Sequence, residues 1–119
     1  FGDLVKQGAW MQLTAGSLTG RFGKRPQYWS ERMLDEGLVH ILATDSHHID
    51  KRPPLLAEGR EAAAKRLGEE EARRLVLDRP PAILDDRPAA EVPPPPAAIG
   101  DGSQQSAERQ PTCAQQFRL

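Results

Sequence analysis

The chain has 119 residues, 38% of them apolar, a formal net charge of -1 and one cysteine. Charges of both signs are interspersed, so no general field draws in nucleic acid or an anionic membrane surface. The lone Cys113 excludes an intramolecular disulfide framework and suits a reducing cytoplasm, and no apolar run approaches the roughly 20 residues that span a bilayer.

Apolar and aromatic residues concentrate before residue 85, while Pro, Gln, Ser and Ala dominate after residue 88. One folded unit at 1–87 and a disordered tail at 88–119 are therefore expected, because the tail buries too little to offset its ordering entropy. A unit of roughly 85 residues has little stability left after chain entropy is subtracted. The first residue is Phe1, and Asp3 to Gly8 reads as the end of a helix, which leads to the expectation that the chain begins mid-domain.

In chain order, Ala9 to Thr14 reads as a strand, bounded by Ala15 and Gly16. Residues 16–24 read as a glycine-rich connection into a helix from about Gln27 to Glu36, with Gly37 as its stop. Leu38 to Thr44 is nearly all apolar apart from His40, which fits a strand covered on both faces in a parallel sheet, with His40 as a packed or partly exposed histidine within it. Strand, helix and strand at this spacing make a βαβ unit, and the fold class is α/β. Pro53 and Pro54 are expected to start a helix running to Leu67, where Gly68 ends it. Glu69 to Leu77 reads as a second helix broken by Arg79-Pro80-Pro81, with a last helical turn at 82–85.

The chemistry concentrates just past the second strand, in Thr44-Asp45-Ser46-His47-His48 and on to Arg52-Pro53-Pro54. Active sites of α/β proteins assemble where strands emerge at their carboxyl ends. A carboxylate and an imidazole two residues apart can point the same way from an extended segment, and both ligate manganese, iron or zinc. Spacing alone leaves open whether His47 is a ligand or the commoner hydrogen-bonded histidine of a strand end. His48 is expected to face away into solvent. Arg52 can bind a phosphate through two parallel hydrogen bonds, or be an ordinary surface arginine. The glycine-rich stretch from Gly16 to Lys24 is not a Walker motif, and Ser17 or Thr19 is left to cap a helix or touch substrate.

Taken together, Thr14-Ala15-Gly16-Ser17-Leu18-Thr19-Gly20-Arg21-Phe22-Gly23, Gly37-Leu38-Val39-His40, Ala43 to His47 and Arg52-Pro53-Pro54 resemble the end of PHP-type (polymerase and histidinol phosphatase) tyrosine-protein phosphatases of capsule and exopolysaccharide systems. The resemblance covers residues 1–87. It implies a distorted seven-stranded β/α barrel, of which this chain is the C-terminal βαβ-plus-helices portion. It also implies a cluster of up to three metal ions, commonly manganese, and hydrolysis of phosphotyrosine on a partner tyrosine kinase. By resemblance Asp45 and His47 match the family's last metal-ligand motif, and Arg52 an arginine placed against the substrate phosphate. His48 stands where relatives often carry Asn. The family's opening His-x-His strand and its middle ligands have no counterpart here, so the chain by itself is expected to lack phosphatase activity. Two alternatives remain at this point: another PHP phosphoesterase, such as a histidinol-phosphate phosphatase, and a non-catalytic degenerate module.

Overall fold

The computed structural model describes residues 1–99. Helix α1 (Gly2–Lys6) leads to strand β1 (Gln12–Thr14), which passes directly into the single turn α2 (Ala15–Leu18) and then helix α3 (Lys24–Asp35). Strand β2 (Ile41–Ala43) pairs parallel with β1 in the register Gln12–Ile41, Leu13–Leu42 and Thr14–Ala43. This is the expected βαβ unit. Helices α4 (Leu56–Leu67) and α5 (Glu69–Arg73), a π-helical turn (Arg74–Asp78) and helix α6 (Arg79–Leu84) follow.

The core lies where the strand pair meets the helices. Leu13 and Leu42 lie side by side across the sheet, and Ala15, Leu18, Leu34, Val39, Ala63, Ala72 and Leu75 complete the cluster. Helix α4 approaches closely because position 59 is glycine: a Cβ there would meet the Cβ of Ala15 at 2.6 Å and Cδ2 of Leu42 at 3.2 Å. The helix that carries no site residue thus seats the strand that leads to the site.

Helix α3 begins three residues before the expected Gln27. Its third residue, Pro26, needs no donor in a first turn, and Gln27 N donates to Gly23 O at 3.3 Å. Its end is as expected. Gly37 takes φ 68°, and the amides of Gly37 and Leu38 donate back to Leu34 O and Met33 O at 2.8 and 3.1 Å, a Schellman closure.

Both strands are shorter than expected. The amides of His40 and Ile41 converge on the one carbonyl of Met11, at 2.9 and 3.2 Å, which ends the regular ladder. His40 therefore precedes β2 instead of lying within it. Of the two expected surroundings it takes the packed one: buried, stacked on Trp10 at 4.8 Å, with Nδ1 accepting the Met11 amide at 3.2 Å.

Pro53 and Pro54 do not open α4. Helical backbone is disfavoured for a residue before proline, and here the carbonyls of Pro53 and Pro54 accept from Leu55 N and Leu56 N in two successive tight turns. Nor does Arg79-Pro80-Pro81 break the chain's helical course. The π turn carries it on into α6, where the two prolines fall in a first turn and their missing amides are not called on.

The expected onset of disorder at residue 88 is also corrected for residues 88–99. Ala89–Glu91 forms a 3₁₀ turn, Pro96–Ile99 a helical turn (α7), and Val92 is 5% exposed. What holds this segment is Arg79, which is wholly buried. Its Nε donates to Pro93 O at 2.7 Å, Nη2 to Pro94 O at 2.9 Å and Nη1 to His40 O at 3.3 Å, while Nη2 lies 2.6 Å from Glu71 Oε1. Ala97 N also donates to Gly37 O at 3.1 Å. Residues 100–119 of the expected tail lie outside the described residues.

Burial, and secondarily the Arg79 guanidinium, hold the His40 imidazole below its ordinary pKa of 6.5. The unfolded chain then binds the proton more readily than the folded one. Stability from this group is complete above the unfolded pKa and is lost as pH falls below about 6.5 through the folded value. The urea midpoint should therefore drop between about pH 7.5 and 5.5, with the slope reduced in His40→Asn, whose amide oxygen can still accept from Met11. An unchanged slope in that variant would remove His40 as the cause.

Candidate functional site

Past β2 the chain turns sharply. Asp45 takes φ 50°, a left-handed conformation that aspartate tolerates better than most residues. Asp45 and His47 would point the same way only from extended backbone, and this turn removes it. The His47 ring instead folds back, with Nδ1 2.8 Å from Asp45 O. A carbonyl can only accept, so Nδ1 carries the proton, and in the neutral ring Nε2 is left with the lone pair that can ligate a metal.

The loop is closed on itself. Ser46 Oγ donates to Arg52 O at 2.8 Å, and Arg52 N donates to His48 O at 3.0 Å. The exposed His48 accepts the amides of Asp50 and Lys51 at Nδ1, each at 3.1 Å, so its ring shapes the turn that returns the chain to Arg52. Arg52 Nη1 then donates to Asp45 Oδ2 at 2.7 Å, joining two residues that the sequence assigned to different tasks. Both are substantially exposed, and such a pair contributes on the order of 0–1 kcal/mol.

Facing the loop is the glycine-rich turn after α2. A small cavity between them, about 20 Å³, is lined by Gly16, Thr19, Arg21, Phe22, Lys51 and Arg52, among others. It has room for about one water, too little to enclose a substrate. The three cations give it an anion-attracting character. Ser17, the weaker substrate-binding candidate, is not among the lining residues. A wider cleft over α3 and α4 contains none of the candidate residues, and its charges are already paired, Arg66 with Glu31 and Asp35 and Arg32 with Glu36.

Asp45 and His47 thus offer one carboxylate and one imidazole nitrogen. Among the described residues no group of three or more His, Cys, Asp or Glu gathers. The donor types fit part of a divalent-cation site, and a complete coordination sphere needs ligands from outside the described residues. Sequence reasoning missed Phe22, whose ring centroid lies 4.9 Å from Arg52 Cζ. The available signal was an aromatic residue held between Gly20 and Gly23, two positive-φ glycines that aim the turn.

The chain is similar to known proteins over part of their length. The structure resembles those described as "Crystal structures of YwqE from Bacillus subtilis and CpsB from Streptococcus pneumoniae, unique metal-dependent tyrosine phosphatases", with TM-score 0.68 and 31% identity over 73% of this chain and 35% of that one. The tyrosine-protein phosphatase CpsB of Streptococcus agalactiae is 41% identical over 64 residues, covering 54% of this chain and 25% of that protein. YwqE of Bacillus subtilis is 37% identical over 67 residues, covering 56% and 26%. The chain therefore spans about a quarter of the length of these two relatives. Its α/β fold is a portion of the PHP-type fold of these phosphatases, as the resemblance implied. The family model for capsular polysaccharide synthesis, CpsB/CapC, matches residues 1–85, and the chain belongs to that family.

Proposed function

We propose that this chain supplies the Asp45–His47–Arg52 corner of a metal-dependent protein-tyrosine phosphatase. The observation that carries the reading is the placement of two metal-type donors and one arginine on a single closed loop just past β2. When bound, divalent cations, with manganese as the proposed ion, supply an activated water and offset charge on the phosphoryl oxygens. Asp45 and the free Nε2 of His47 would hold part of that cation cluster. Arg52 would exchange its contact with Asp45 for the phosphoryl oxygens of substrate.

The relatives above are named tyrosine phosphatases, which favours phosphotyrosine over histidinol phosphate. A phosphotyrosine-bearing tyrosine kinase of polysaccharide assembly is the proposed substrate. A cytoplasmic site fits the lone cysteine, and among the described residues no helix is long and apolar enough to cross a membrane. With two candidate ligands among the described residues, the 119-residue chain alone is expected to be inactive.

In a full-length phosphatase carrying this segment, Asp45→Ala and His47→Ala should each lower bound manganese and phosphotyrosine-peptide hydrolysis together, by more than the roughly 10–100-fold that loss of a ligand's hydrogen-bond partner costs. Full metal content in both variants would remove the pair from the metal site.

A further inference from the structure

We propose that Phe22 is a positioning residue for Arg52, with Gly16 as the seat that lets it act. This rests on the reading of Arg52 as the phosphate-binding residue. The Arg52 side chain has four rotatable bonds and is more than one-third exposed, so left to itself it samples many orientations. Two contacts oppose that freedom. One is the ion pair with Asp45, but the same carboxylate is the group offered to cations, so this contact is given up when Asp45 is otherwise engaged. The other is the face of the Phe22 ring, 4.9 Å from Arg52 Cζ, within the range of an attractive guanidinium–aromatic contact. A ring has no hydrogen-bond acceptor in competition with phosphate. It can therefore hold the guanidinium while leaving its N–H groups for an anion.

Phe22 is itself held. The turn that carries it is closed by Arg21 N donating to Gly16 O at 2.9 Å and Gly23 N donating to Gly20 O at 3.1 Å. The ring lies against Gly16, where a Cβ would stand 2.9 Å from both Cε2 and Cζ. Any side chain at 16 must push the ring away from that seat. The run Gly16-Ser17-Leu18-Thr19-Gly20-Arg21-Phe22-Gly23 thus gains a role that neither a phosphate-binding loop nor a Ser17 contact supplied: it delivers an aromatic face beneath the arginine.

The test uses nuclear magnetic resonance of the 119-residue chain with labelled arginine. The Arg52 side-chain protons should be displaced upfield by the ring current of Phe22. The displacement should vanish in Phe22→Leu, persist in Phe22→Tyr and shrink in Gly16→Ala. It should persist in Asp45→Asn, which separates the ring contact from the ion pair. Amide dispersion of Leu13 and Leu42 reports in each variant that the fold is kept. Titration with inorganic phosphate should shift the Arg52 resonances, with affinity about tenfold weaker in Phe22→Leu and restored in Phe22→Tyr. Arg52 resonances unmoved by Phe22→Leu, or collapsed by Asp45→Asn alone, would overturn the proposal. If the ring-current pattern holds but phosphate leaves Arg52 unmoved in the parent chain, Phe22 still positions Arg52, and it is the assignment of Arg52 to phosphate that fails.

Discussion

Arg79→Met should destabilise the chain by about 3–5 kcal/mol, measured by urea denaturation of the variant beside the parent. The side chain is fully buried, and its guanidinium gives hydrogen bonds to three backbone carbonyls and pairs with Glu71, itself 7% exposed. Methionine preserves much of the volume but none of these bonds. The Glu71 carboxylate would then keep only Arg74, with Nη1 3.5 Å from its Oε2, as a charged neighbour among the described contacts. A buried charge left with one long ion pair, together with three carbonyls deprived of their donor, is the costly combination. Against a total of roughly 5–15 kcal/mol for a domain, the variant is expected to be largely unfolded at modest denaturant concentrations. Removing the stranded charge as well, in Arg79→Met with Glu71→Gln, should recover part of the loss. A loss below about 1 kcal/mol would show that the buried guanidinium is dispensable.

Arg52→Ala is expected to have the largest effect on activity. In a full-length phosphatase carrying this segment, it should lower phosphotyrosine hydrolysis by about 10²–10³-fold, the loss typical of one charge-stabilising donor. Metal content should stay unchanged, since a guanidinium has no lone pair to offer. Arg52→Lys should recover only part of the rate: an ammonium restores the charge but neither the paired N–H geometry nor the planar surface against Phe22. Full activity in Arg52→Ala, or loss of metal along with activity, would show the residue to be misassigned.

The parts of the fold legible in the sequence were those set by local rules. Gly37 marked the end of α3 because only glycine takes a positive φ there without penalty, and the apolar run before Asp45 marked the second parallel strand. What was not legible depends on contacts remote in sequence. Nothing around Arg79 says that it will be buried, since its partners are Glu71, His40 and two proline carbonyls more than ten residues downstream. The same partners explain why a proline-rich stretch that composition assigns to disorder is held through Val92 and Ala97. At the site, the adjacency of Asp45, His47 and Arg52 was readable from spacing. Their arrangement was not, because it turns on one left-handed residue, Asp45, and on an aromatic ring delivered from a segment some 30 residues earlier.

The two-stranded sheet has a consequence for handling the chain by itself. Among the described residues β1 and β2 pair only with each other, so each keeps one open edge of backbone donors and acceptors. Such an edge is a template on which any extended segment can add, and parallel sheets are normally enclosed on both faces and continued by neighbouring strands. A net charge of -1 supplies almost no long-range repulsion between copies. The geometry that would let this segment join a larger barrel is thus the geometry that favours self-association at high concentration, and substitutions that place lysine along the outer edge of either strand would oppose both.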